Sequence, residues 1–267
     1  MNTFGFIGTG NMGGALAKAV AKSVDPKSIV LSNKTAAKAE SLAAELGCLH
    51  ATAEAVAQQC HFIFLGVKPQ MMANLLSSIS PILAARQDRF VLVSMAAGLR
   101  IGDIQRMAGD HYPVIRIMPN IPVSVGAGVI LYDCSENVTD AAAATFREGL
   151  CKAGMVSALP EKLIDAGSAL SGCGPAFVSL FIEALADGAV AAGLTRQQAT
   201  QYACQTLIGT ATMLLQTGMH PGALKDAVCS PGGSTIAGVA ALESGAFRAS
   251  AMEAVRSAFE RTKELGQ

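Results

Sequence analysis

The chain predicts two domains in tandem, an α/β domain built on a mostly parallel sheet and then an all-helical one. Three observations carry this. Over residues 1–160 short β-rich runs alternate with amphipathic stretches, the pattern of a sheet with helices on both faces. A glycine-rich loop joins the first β-rich run directly to a helical stretch. From about Leu163 the β-rich runs stop, and Ala, Leu, Gly and Met recur at helical spacing. A length of 267 residues exceeds the usual single domain, so a division into 1–160 and 161–267 agrees with size.

In chain order, strands are predicted at 4–7, 29–32, 62–65, 90–93, 114–118 and 128–132. In the second half, Pro175 suits the first turn of a helix after Gly172-Cys173-Gly174, with Phe177, Phe181 and Leu185 recurring at i+4. Glu183 and Asp187 are its only charges, so it is apolar on nearly every face and calls for burial against a second subunit. Thr195 and Gln198 form a capping box for a helix running to about Thr217, where Gly218 ends it. Pro221 opens a short helix through Val228, and Ala251, Val255 and Phe259 mark one stripe of a closing helix.

Composition narrows the partners. Twenty basic residues balance 20 acidic ones and only 15% of the chain is charged, which argues against nucleic acid and acidic membrane surfaces. Although 51% of the residues are hydrophobic and the mean hydropathy is +0.40, each apolar run is cut by Gly, Pro or a charge before it reaches membrane-spanning length. The excess apolar surface is expected in a subunit interface, and the ligand is expected to be small. The N-terminus has neither a basic n-region nor a separate apolar signal core, which predicts a cytoplasmic protein. Seven scattered cysteines form no C-x-x-C pair and are read as reduced core residues; four histidines have no ligand spacing, so no metal site is expected.

Immediately after the first strand comes Gly8-Thr9-Gly10-Asn11-Met12-Gly13-Gly14, and Ala15 to Val20 continue as a helix. This is the dinucleotide fingerprint in its strand–turn–helix setting, and it makes the first domain Rossmann-type. Gly8 permits the tight turn, Gly10 lets a pyrophosphate approach the backbone, and Gly13 lets helix and strand pack closely. Where NAD enzymes place a carboxylate after the second strand, this chain has Ser32-Asn33-Lys34-Thr35, with no acid before Glu40. Lys34 and the neighbouring hydroxyls suit a 2′-phosphate, so NADPH is preferred and NADH is the alternative. A solvated surface lysine is the plain reading of Lys34.

Three later strand ends should line the same crevice: Gly66-Val67-Lys68-Pro69, Ser94-Met95-Ala96-Ala97-Gly98, and Met118-Pro119-Asn120-Ile121-Pro122. Each also looks like an ordinary strand-to-helix loop. Near the C-terminus, Cys229-Ser230-Pro231-Gly232-Gly233-Ser234-Thr235 is a polar turn opening into an apolar helix. It either aims free amides at a small anion or is a Ser/Thr N-cap.

These motifs, together with Leu170 to Phe177 and the run from His220 to Glu243, resemble the pyrroline-5-carboxylate reductase family across nearly the whole chain. The resemblance implies reduction of 1-pyrroline-5-carboxylate to L-proline by NAD(P)H, the last step of proline biosynthesis. It also implies a homodimer through the helical domain and a decamer of five dimers. The substrate carboxylate would be held by the amides of Gly233, Ser234 and Thr235, and the Thr235 hydroxyl would bond the ring nitrogen as the catalytic contact. Glu161 falls near a substrate-side glutamate of some members.

Two other readings share this pattern. A 3-hydroxyacid-type dehydrogenase would need a catalytic lysine after the glycine-rich turn, but no lysine lies between Lys162 and Lys225. A non-catalytic NADP(H)-binding protein could use the same fold, and the intact Ser230–Thr235 turn speaks against it.

Overall fold

The computed structural model describes residues 4–109 and 111–265. The chain separates into two compact units, residues 1–173 with 258–267, and residues 174–257.

The first unit alternates strands and helices: β1 (Phe4–Ile7), α1 (Asn11–Val20), β2 (Ile29–Ser32), α2 (Ala36–Leu46), β3 (Leu49–His50), α3 (Ala53–Gln59) and β4 (Phe62–Leu65). It continues with α4 (Pro69–Ala85), β5 (Val91–Ser94), α5 (Ile101–Ala108), β6 (Val114–Pro119), β7 (Gly128–Cys134), α6 (Asp140–Gly149), β8 (Gly154–Ala158) and α7 (Glu161–Ser171). One eight-stranded sheet runs β3-β2-β1-β4-β5-β6-β7-β8. All pairs are parallel except β6 with β7. That exception follows from the connection: only a short 3-10 turn, Ile121–Val125, lies between them, and without a crossover helix the chain reverses.

The period-2 pattern of the central strands feeds two cores, one on each face of the sheet. Phe4, Phe6, Phe62 and Phe64 point into one with Leu16, Val20 and Phe146. Ile7, Val30, Ile63 and Leu65 enter the other with Met72, Leu76 and Ile79. Because both faces are covered, β1, β2, β4 and β5 are buried at every position. Phe6 stacks on Phe64 at 4.4 Å and Phe4 on Phe62 at 5.3 Å, adding ring contacts to area burial.

The predicted strands at 4–7, 29–32 and 62–65 match the structure; the fourth lies one residue later, and the last two extend to Pro119 and Cys134. β3 and β8 were not expected. The first is two residues long, and β8 is an edge strand with no buried residue, so neither carries a clear hydrophobic signal. The division expected at 160/161 differs from the compact units, because α7 packs on the sheet through Ile164, with Met118 and Leu131.

The second unit is helical: α8 (Gly174–Ala191), α9 (Arg196–Thr217), α10 (Pro221–Ala227), α11 (Ser234–Ser244) and the first half of α12 (Phe247–Leu265). Its punctuation is as read from the sequence. Thr195 and Gln198 make the reciprocal capping box on α9, and Gly218 ends it in the left-handed region at φ 65°. His220 caps α10 by accepting the Gly222 N–H on Nδ1 at 3.1 Å. Packing within the unit is thin: Phe181 meets Phe247 at 5.3 Å, but only Ala186, Ala199 and Ala203 are buried. By length and composition alone the stretch Glu161–Ala191 is apolar enough to cross a membrane, but Gly172, Gly174 and Pro175 cut it between α7 and α8, the kind of interruption read from the sequence.

Candidate active site

The order β3-β2-β1-β4 places a change of winding direction beside β1, where the carboxyl ends of β1 and β4 part and leave a crevice. The glycine loop sits there. Gly8 adopts φ +102°, and a Cβ on it would come within 2.5 Å of the Gly66 carbonyl oxygen. A Cβ on Gly13 or on Gly66 would collide with the Gly8 carbonyl oxygen. Three glycines therefore meet around one peptide unit, which is how α1 starts so close to β1 and β4. Gly10 has no atom within 4 Å of where its Cβ would stand, so open space faces the loop at the residue meant to admit a pyrophosphate.

The loop is tied to β2: the Gly8 N–H donates to the Ser32 carbonyl at 2.8 Å and the Thr9 N–H to Asn33 Oδ1 at 3.2 Å. A cavity of about 1020 Å³ opens beside it, lined by Gly8, Gly10, Ser32, Asn33, Lys34, Val67 and Lys68 among the expected residues. His50, Thr52, Gly66 and Asn74 also line it, and so does Glu40. A second cavity touches Thr9, Gly10 and Asn11 together with Lys18 and Lys38. Pro69 is the first residue of α4, where its missing N–H costs nothing.

Other expected cofactor residues stand differently. Met12 and Gly13 line neither cavity; Met12 packs against the core and Gly13 is buried against Gly8. Ala96 is buried in the second core, Ala97 is exposed, and Met118 packs with Leu131 and Ile164. Pro119 ends β6 opposite Ile130. The Asn120 amide is committed to the protein, with Oδ1 accepting the Val129 N–H at 2.8 Å and Nδ2 donating to the Ser171 carbonyl at 2.9 Å. The cavity thus gathers the β1, β2 and β4 ends, while those of β5 and β6 lie outside its lining.

At the C-terminal turn the cap is Gly233 (φ −78°, ψ 169°), with no side-chain cap, so the Ser/Thr N-cap alternative is not what forms. Gly232 sits at φ +68°, and a Cβ on Gly233 would strike Ser230 Oγ, which accounts for both glycines. The Gly233 N–H donates to the Ser230 carbonyl at 3.0 Å, so its amide closes the turn and is not available to an anion. Ser234 and Thr235 open α11, where first-turn amides have no intrahelical acceptor, and both residues are exposed. Glu161 is committed elsewhere: its Oε1 accepts the Ile101 N–H at 2.7 Å and lies 3.5 Å from Arg116 Nη1.

A family model described as pyrroline-5-carboxylate reductase dimerisation matches residues 161–265, and one described as NADP oxidoreductase coenzyme F420-dependent matches residues 3–98. Pyrroline-5-carboxylate reductase from Arabidopsis thaliana is 39% identical, covering 98% of this chain and 95% of its own. That from Escherichia coli strain K12 is 40% identical, covering 98% of each. The chain belongs to the pyrroline-5-carboxylate reductase family. A solved pyrroline carboxylate reductase from Plasmodium falciparum, with NADP bound, superposes with a TM-score of 0.88 at 32% identity, covering 99% of this chain and 98% of that one.

For a pyrroline-5-carboxylate reductase the dinucleotide fit can be tested on this chain's own atoms. Thr9 Oγ1, inside the glycine loop, is buried with no hydrogen-bond partner. An orphaned hydroxyl there is costly unless a ligand's oxygen completes it, and the open face of Gly10 leaves room for one. Both observations fit a bound pyrophosphate. Sequence reading missed Arg116, a guanidinium 1% exposed in the middle of β6. A single Arg between Ile115 and Ile117 was the only signal, and the alternating pattern absorbed it.

Proposed function

We propose that this chain reduces 1-pyrroline-5-carboxylate to L-proline, the closing step of proline biosynthesis, with NADPH preferred over NADH. The observation that carries the reading is near-full-length similarity to enzymes named for that reaction. When bound, the reduced nicotinamide supplies the hydride; the protein's part is positioning and electrostatics. The Gly8–Gly13 loop and the start of α1 receive the pyrophosphate, with Thr9 Oγ1 as donor. Lys34, exposed at the cavity wall beside Ser32, meets the 2′-phosphate.

The Ser234 and Thr235 amides at the start of α11 receive the substrate carboxylate, favoured by the helix dipole. The Gly233 amide is left out of this grip because it is bonded to Ser230. Thr235 Oγ1 orients the imine nitrogen, whose protonation makes the ring carbon electrophilic, so no side chain with a shifted pKa is required. The working unit is a homodimer through the helical domain, with five dimers forming a decamer, in the cytoplasm.

The test is consumption of NADPH absorbance on addition of pyrroline-5-carboxylate to folded protein, repeated with NADH. No substrate-dependent loss would sink the reading. Thr235→Ala is expected to lower turnover about 10- to 100-fold, the worth of a hydrogen bond to a charged group, with NADPH affinity unchanged. Lys34→Ala should weaken NADPH about tenfold and leave NADH unaffected, since only the phosphate contact is lost.

A further inference from the structure

Arg116 is among the largest fully buried side chains, and a buried guanidinium is tolerated only when paired. Its Nη2 donates to Asp165 Oδ1 at 2.7 Å, and Nη1 lies 3.5 Å from Glu161 Oε1. Asp133 is its cross-strand partner on β7 and so shares its face of the sheet. One cation thus pairs with two carboxylates, a third stands opposite it on the next strand, and its Nε is left unpartnered.

Two carboxylates here accept amides at helix starts. α7 has Pro160 at its cap, which offers no side-chain acceptor, and α5, where Asp103 Oδ2 already accepts the Arg100 N–H at 2.9 Å, still leaves the Ile101 N–H to be met. Asp133 Oδ2 accepts the Glu161 N–H at 2.6 Å, and Glu161 Oε1 in turn accepts the Ile101 N–H at 2.7 Å. At its other end α7 is held by Asn120, which bonds both the Ser171 carbonyl and the Val129 N–H. α7 is therefore tied to the start of α5, just past the loop after β5, and to the residue that follows β6. Those are the two strand ends that the large cavity does not itself fix.

We propose that Arg116 is a positioning residue of the reductase: through Glu161 and Asp165 it seats α7, and α7 holds the loops after β5 and β6 in place for hydride transfer. The claim rests on the reductase reading. At 1% exposure Arg116 is too enclosed to be a ligand contact, so it acts through the helix.

The test compares wild type with Arg116→Met, Arg116→Lys and Asp165→Asn. It reads hydrogen exchange at the Ile101 and Val129 amides, NADPH affinity by fluorescence, and steady-state kinetics per folded molecule. In Arg116→Met both amides should exchange about tenfold faster, as a locally loosened segment does, and kcat should fall about tenfold with NADPH affinity within about twofold. Arg116→Lys should recover part of both effects. If Arg116→Met does not fold, Asp165→Asn carries the test, with shifts of about threefold in the same directions. A kcat within about twofold of wild type beside a lowered Tm would reduce Arg116 to a stabilising residue and overturn the proposal, as would unchanged protection at both amides. If the wild type consumed no NADPH with pyrroline-5-carboxylate, the reductase reading would fall and the catalytic claim with it. The exchange data would still decide whether the clamp exists.

Discussion

The two units of this chain solve the burial problem in opposite ways. The sheet unit closes both of its cores from its own residues, and strand after strand is buried end to end. The helical unit buries three alanines and leaves Leu180, Ile208, Leu215 and Met252 exposed at 66%, 60%, 77% and 74%. A surface that apolar is what a subunit interface requires, and the match of this region to a dimerisation domain gives the reason. Apolar content alone does not distinguish a core from an interface; what distinguishes them is whether the chain can cover the residues itself.

The largest effect should come from charging the uncovered face. Leu180→Glu with Ile208→Glu should weaken self-association at least about 100-fold, because two carboxylates would have to be desolvated, and light scattering after size exclusion would report monomer. Leu49→Glu, at an exposed site of the sheet unit, should change stability by less than about 0.5 kcal/mol. If the double variant stayed dimeric, these residues would not lie in the interface. Next in size, Phe64→Ala in the closed core should cost about 3–5 kcal/mol in denaturant unfolding, from lost transfer energy and the cavity left between Phe6 and Phe146.

The smallest effect concerns thiols. Burial pushes the Cys60 thiol up to about 12, with the nearby Arg86 opposing it, whereas Cys151 is exposed. A raised pKa keeps the thiol protonated, so iodoacetamide at pH 8 should label Cys151 and spare Cys60 in peptide mass spectra. The sign for stability follows. The contribution of neutral Cys60 is complete below the ordinary thiol pKa and is lost as pH rises from there toward about 12.

The sequence disclosed most where local pattern and tertiary environment agree. The glycine loop and three central strands were legible residue by residue, because their chemistry is set within a few neighbours. The antiparallel turn of β7 and the edge strand β8 were not, since pairing direction depends on a missing crossover and an edge strand is half solvated. The site was legible in its residue types more than in their partners. Glu161, Asn120 and Gly233 were expected at ligands, yet each is bonded to its own chain across 60, 9 and 51, or 3 positions. No spacing rule announces such contacts.

The meeting of Gly8, Gly13 and Gly66 around a single peptide also bears on redesign. A mutant library aimed at changing the cofactor could sample Lys34 and Gly10 freely, because those positions border open space. Diversity placed at any of the three glycines would be wasted on chains whose first helix cannot reach its strand, so the loop divides into a part that tunes and a part that only permits.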